Sequence, residues 1–199
     1  MRVEIVVFDG FDELDAIGPY EVLRNAALAG ADLDVALVAR DGAPTVTASH
    51  GLQLTTQGTL TEWPDVLVVP GGGWNDRASR GARAEAERGD LSAIIARAHA
   101  AGTTVASVCT GGMLVAAAGL TKGRPAITHR GAVAELRAMG AQVIADARVV
   151  DNGDLLMSGG VTAGIDLALW FVEREFGAGM ANRIAQEMEY ERSGSVWQA

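Results

Sequence analysis

The sequence has a single cysteine, Cys109, and only three histidines in 199 residues. One cysteine cannot close an intramolecular disulfide, so nothing in the chain requires an oxidising compartment. The histidines, His50, His99 and His129, show no His-x-x-x-His spacing, and there is no cysteine pair. That removes the common zinc patterns. Basic residues are short as well: 16 Lys and Arg stand against 25 Asp and Glu, for a net charge of −9. A chain without a basic footprint is not a general binder of nucleic acid or of anionic membranes. A signal peptide is also missing from the reading, because Met1-Arg2-Val3-Glu4-Ile5-Val6-Val7 has an acid inside its apolar run and then meets Asp9-Gly10. The segment Ala101–Leu120 is uncharged and nominally long enough to span a bilayer, but its glycines, threonines and serine make it only weakly apolar. It reads instead as strand, turn and helix. A cytoplasmic protein is expected.

What remains is ordinary globular composition, 49% hydrophobic and 21% charged. The length suits one domain over residues 1–199, with no linker, low-complexity tract or solenoid repeat. Strand-like runs fall at Arg2–Phe8, Leu33–Ala39, Val66–Val69, Thr103–Val108, Val143–Val150 and Asp154–Met157. The last two flank Asn152-Gly153, a hairpin dipeptide. Thr45–Thr55 alternates and bends at Ser49-His50-Gly51, as a small hairpin would. Helix-like runs lie between these: Tyr20–Leu28 with Pro19 in its first turn, Leu91–Ala100 capped by Asp90, Gly111–Ala118, Ala132–Met139, Val161–Phe176 and Ala178–Tyr190.

Strands separated by helices imply right-handed βαβ units. The expected fold is therefore α/β, a three-layer αβα sandwich with a mostly parallel central sheet. Ligands of such folds collect beyond the carboxyl ends of the strands. Three features end strands here: Asp9–Asp15, Pro70–Gly73 and Cys109–Gly112.

Ser107-Val108-Cys109-Thr110-Gly111-Gly112 puts the cysteine between an apolar strand and a helix start. The pattern is that of a nucleophile turn of the G-x-S-x-G type, with Cys for Ser. Such a turn lifts the side chain above the sheet and aims backbone N–H groups at the reacting centre. The adjoining helix start should lower the thiol pKa below its free value of about 8.5. A lone thiol can equally be a small core hydrophobe. Pro70-Gly71-Gly72-Gly73 lacks the spacing of a phosphate loop, and an N–H of Gly71 or Gly72 is expected to face charge developing on a Cys109 adduct. Among the histidines only His129 follows the nucleophile and sits near a strand end. Asp15 precedes a helix and is either a capping acid or a group that holds and relays a proton beside the thiol.

Five motifs in order resemble the ThiJ/PfpI superfamily, relatives of the class I glutamine amidotransferases. They are Asp15-Ala16-Ile17-Gly18-Pro19-Tyr20-Glu21-Val22, Val69-Pro70-Gly71-Gly72, Cys109-Thr110-Gly111, Thr128-His129 and the run from Ser158 to Asp166. Asp15 together with Cys109-Thr110-Gly111 is most similar to the isocyanide hydratases. The resemblance implies a flavodoxin-like homodimer with a small-molecule substrate and neither metal nor organic cofactor. It also implies that Cys109 attacks the terminal carbon of an isocyanide to form a thioimidate, that Asp15 handles water and protons, and that Thr110 orients the intermediate. Backbone near Gly72 and Thr110, with Gly71, Gly111 and His129, would line the site.

The chain departs from other branches. Thr110 replaces the histidine that follows the cysteine in members proposed as proteases, no late His-x-Glu pair supports a glutaminase, and the chain ends at Ala199 without room for a regulator's helix-turn-helix. Arg130 stands where the resemblance leads one to expect an aromatic residue. Two alternatives stay open: glyoxalase or deglycase chemistry on an α-oxoaldehyde with His129 as base, and a non-enzymatic thiol sensor or small-molecule binder.

Overall fold

The computed structural model describes residues 1–61 and 63–199. Its strands are β1 (Arg2–Val7), β2 (Asp34–Ala39), β3 (Thr45–Thr47), β4 (Gln53–Thr55), β5 (Val66–Val69), β6 (Thr104–Ser107), β7 (Pro125–Ala126), β8 (Gln142–Val143), β9 (Val149–Asp151), β10 (Leu155–Ser158) and β11 (Val196–Gln198). The helices are α1 (Glu13–Leu28), α2 (Ala82–Arg88), α3 (Asp90–Ala100), α4 (Gly111–Ala117), α5 (Val133–Ala138), α6 (Ala163–Phe176) and α7 (Ala178–Glu187).

Seven strands form the main sheet in the order β11-β9-β10-β6-β5-β1-β2, and only the β9–β10 pair is antiparallel. Helices α1, α6 and α7 pack together on one face, and α2, α3 and α4 on the other. This is the expected three-layer, flavodoxin-like sandwich. In β5 all four residues are buried, because helices cover both faces of a central parallel strand. The uncharged segment Ala101–Leu120 contains β6 and α4. No helix among the described residues is long and apolar enough to cross a membrane.

Several boundaries differ from the sequence reading. Helix α1 begins at Glu13, with the Asp12 side chain accepting from the Leu14 N–H at 3.3 Å, so Asp15 lies inside the helix and Pro19 is interior. A proline there removes the N–H that would serve the Asp15 carbonyl, a cost the α1–α6 contact offsets. A Cβ on Gly18 would lie 3.1 Å from Ile165 Cγ1, and one on Gly164 3.3 Å from Pro19 Cδ. The Gly-Pro pair thus marks a close helix crossing, where a helix start was expected. The run Val143–Val150 is not one strand: β8 pairs with β7 outside the main sheet, and only β9 enters it. The hairpin at Asn152-Gly153 forms, with Gly153 at φ 75°. Helix α2 and the edge strand β11 were not anticipated, since each is short and carries little apolar periodicity.

Candidate active site

Strands β6, β5 and β1 are neighbours, so the loops leaving their carboxyl ends converge. Pairing continues past β6, where the Val108 N–H donates to Val69 O at 3.0 Å. The chain then turns sharply at Cys109, whose φ is 56°. That left-handed conformation costs a non-glycine residue roughly 1–3 kcal/mol and survives only if its surroundings hold it. Two bonds do so: the Cys109 N–H donates to Gly159 O at 2.9 Å, and Thr128 Oγ1 donates to Cys109 O at 2.8 Å. Gly111 opens α4 immediately afterwards. A Cβ there would lie 2.1 Å from Val69 O, so only glycine lets the helix start this close to β5.

Asp15 is fully buried and projects from the first turn of α1 toward this turn. Its Oδ2 accepts the Gly71 N–H at 2.9 Å, while Oδ1 has no well-aligned donor among the described residues. The Cys109 thiol is near enough to interact weakly with the carboxyl. Burial, and then the charge of Asp12, push the Asp15 pKa up to about 8 against the donors from Gly71 and Cys109. Burial, and then the facing Asp15 carboxyl, push Cys109 up to about 12, although the N–H groups of Val161 and Thr110 favour the thiolate. The lowered thiol pKa expected from the helix start is therefore reversed. Helix α4 has seven residues, and its favourable end is outweighed by burial of the thiol and by the acid beside it. Both shifts run upward, so the site holds each group toward its protonated form.

The glycine loop also works differently from the expectation. The Gly71 N–H is engaged by Asp15, and the Gly72 N–H donates to Thr110 Oγ1 at 3.0 Å. Neither faces a Cys109 adduct. The reason is the tightness of the contact: a Cβ on Gly71 would lie 2.4 Å from Thr110 Oγ1, and one on Gly72 2.5 Å from Gly10 O. These amides position Asp15 and Thr110, while the N–H groups near enough to favour charge on the sulfur are those of Thr110 and Val161. Val161 itself holds φ 35°, a second strained residue against the same atom. Nothing in the sequence distinguishes it beyond its place in the Ser158–Asp166 run.

His129 caps a short 3₁₀ turn over residues 130–132. Its Nδ1 accepts the Gly131 N–H at 3.1 Å and lies 3.0 Å from the Asn75 amide nitrogen, so the neutral ring carries its proton on Nε2. Burial and the neighbouring Arg130 lower its pKa. The Cδ2–Nε2 edge packs on Gly160, where a Cβ would come within 2.6 Å. The other histidines are elsewhere. His99 pairs with Asp154 at 2.8 Å, at the amino end of β10 and away from the converging loops. His50 is exposed and bonds Glu13 Oε2 at 2.6 Å on the outer rim.

Val161 lines two recesses. One, of about 600 Å³, is lined by His129, Arg130, Arg148, Gly160, Val161 and Thr162 among others. The other is a shallow depression of about 650 Å³ bounded by Asp12, Glu13, Leu14, His50, Leu52 and Val161. Among the described residues no group of three or more His, Cys, Asp or Glu is arranged to hold a metal ion. The arrangement can present a thiol, one proton-carrying carboxyl and two backbone donors to a small electrophile.

The sequence profile of the DJ-1/PfpI family matches residues 1–174. An isonitrile (isocyanide) hydratase of Pseudomonas putida is 38% identical over 192 residues, covering 96% of this chain and 78% of that protein. A deglycase of Pyrococcus horikoshii is 28% identical, covering 88% of this chain and 97% of its own length. Among solved structures, a ThiJ/PfpI family protein from Pseudomonas syringae superposes with a TM-score of 0.84 at 28% identity, covering 96% of this chain and 76% of that one.

Proposed function

The chain belongs to the DJ-1/PfpI family, and from that premise we propose that it hydrates a small isocyanide to an N-substituted formamide through a thioimidate on Cys109. The observation that carries this reading is the fully buried Asp15, held by the Gly71 N–H beside the strained Cys109 turn, where burial favours the protonated form of both groups. An isocyanide, R–N≡C, must gain hydrogen and sulfur on the same carbon. The Asp15 carboxyl gives its proton to that carbon as the Cys109 sulfur attacks it, and Asp15 takes up the thiol proton. The product is R–N=CH–S–Cys109. Water then adds to the carbon with Asp15 moving protons, and collapse yields R–NH–CHO and the free thiol. No net proton is gained or lost. Thr110 accepts the Gly72 N–H, which leaves its own hydroxyl proton for the substrate nitrogen. Gly111 and Gly71 hold the turn and the acid in register. The functional unit in this proposal is a homodimer.

Two rival readings are weaker on the same geometry. An α-oxoaldehyde reaction needs a base, and the His129 Nδ1 lone pair is already occupied. A peroxide sensor needs an accessible thiolate, whereas burial and Asp15 push this thiol up to about 12. The test is incubation with an alkyl or aryl isocyanide and detection of the formamide, alongside trapping of the Cys109 adduct by mass spectrometry. Wild-type turnover that vanishes in Cys109→Ala supports the proposal. No turnover, or undiminished turnover in Cys109→Ala, rejects it.

A further inference from the structure

The recess lined by His129, Arg130 and Arg148 presents arginine in an otherwise acidic protein. Its charged lining residues are Arg130 and Arg148, and no Asp or Glu is among the lining residues, while the whole chain carries −9. No salt bridge engages Arg130 among the described residues, and it is exposed. Arg148 is fixed instead. Its Nε pairs with the buried Asp166, whose oxygens also take the Tyr190 hydroxyl at 2.8 Å and the Ser193 N–H at 3.1 Å. Its other arm donates to Thr162 Oγ1 at 2.8 Å, which leaves the Thr162 hydroxyl proton unspent.

His129 contributes an Nε2–H by the tautomer its Nδ1 partners impose. Thr162 also caps α6, whose positive end opens on the same recess. Donors therefore gather on one wall; Asp166 balances the charge of Arg148 from behind, and the charge of Arg130 is the one left unpaired among the described residues. Val161, whose N–H favours charge on the Cys109 sulfur, belongs to the same wall.

We infer that this recess binds an anionic oxygen group on the substrate, a carboxylate in the simplest case. The preferred isocyanide is then one whose substituent ends in a carboxylate, lying on Arg130, Arg148 and Thr162 while its terminal carbon meets Cys109. This inference rests on the hydratase reading. Arg130 is the specificity determinant, since its charge has no protein partner to neutralise it. Arg148 is the rigid element, oriented in advance by Asp166.

The test compares isocyanoacetate with its methyl ester, which differ in charge and little in size. For wild type, kcat/KM is expected to favour the anion by roughly tenfold or more at low salt, and the preference shrinks as ionic strength rises. In Arg130→Gln the carboxylate-to-ester ratio falls toward one, and Arg130→Lys restores part of it. Equal rates for the two substrates in wild type, or a ratio untouched by Arg130→Gln, overturn the inference and leave the hydratase reading standing. If neither compound is hydrated, the hydratase reading fails, and calorimetry with N-formylglycine and its methyl ester decides the subsite alone. Anion-selective binding weakened in Arg130→Gln upholds the subsite. Binding without such selectivity overturns it.

Discussion

Glu13 and Asp15 are separated by one residue in the first turn of α1, yet their acidities diverge in opposite directions. A helix N-terminus lowers the pKa of any carboxyl near it, so position on the helix predicts the same sign for both. Glu13 does go down, to about 2: against the burial that would raise it, hydrogen bonds from His50, from backbone and from Ser49 stabilise its charge. Asp15 goes up to about 8, because it is fully buried with one backbone donor and one oxygen left without a good partner. The supply of donors and water decides the charge, and the helix end is the smaller effect. One acid is a rim strut that ties the Ser49-His50 turn to α1. The other is a buried acid held toward its protonated form, the proton source of the proposed reaction.

The largest expected break in this contrast is Asp15→Asn. It removes the transferable proton and should lower kcat/KM for isocyanide hydration by roughly a hundred- to ten-thousandfold. The same change should raise stability at pH 7 by roughly 1–3 kcal/mol, because an ionisable group no longer has to be buried poorly solvated. The sign follows from linkage: below about pH 4 the carboxyl is protonated folded and unfolded, so the gain should vanish there and grow as pH rises toward 8. Chemical denaturation at several pH values reads both parts. A variant that is less stable than wild type at pH 7 would mean that Asp15 is a structural acid.

Next in size is Gly71→Ala, which forces a methyl into Thr110 and the turn around it. A loss of roughly 1–3 kcal/mol in urea denaturation is expected, together with lost turnover, since the amide that holds Asp15 moves with it. The pH profile comes third. If the reacting form needs Asp15 protonated, kcat/KM falls as pH climbs through about 8, while Glu13, ionised throughout, adds no inflection between pH 5 and 9. A profile flat to pH 10 would contradict that role of Asp15.

The smallest effect is Glu13→Gln. Its folded pKa is depressed, so its stabilisation is complete above about 4.5 and is lost as pH falls toward about 2. The variant should show a slightly lower thermal midpoint at pH 7 and a flatter decline in acid. The turnover change should be small beside that of Asp15→Asn.

The fold was largely legible because buried parallel strands such as Val66–Val69 are continuous apolar runs, and the helices between them are punctuated by glycines. What was misread follows one rule. Pro19 looks like a helix start in sequence, but packing of α1 on α6 holds it in the helix interior. Val143–Val150 looks like one strand because its apolar residues do not reveal which of two ladders each will join. At the site, the sequence pointed to Cys109, Thr110, Asp15 and the glycine loop, and the structure brings them together. Local sequence could not assign the Gly71 and Gly72 amides to Asp15 and Thr110, nor bring the Val161 N–H near the sulfur, since those contacts join strands far apart in the chain.

By itself, the sequence determined that a cysteine would stand at a sharp strand-to-helix turn, beside a glycine loop, at the carboxyl edge of a parallel sheet. Those are consequences of local patterns: apolar period, turn chemistry and the spacing of glycines. Only the tertiary structure decided the state of that cysteine. A pKa measures the free energy of a charge in its surroundings, and the surroundings of Cys109 come from α1, β5 and the loop before α6 at once. The reading of an activated thiolate at a helix start gave way to a thiol whose pKa burial and a neighbouring acid push up, with Arg130 and Arg148 lining the recess outside it.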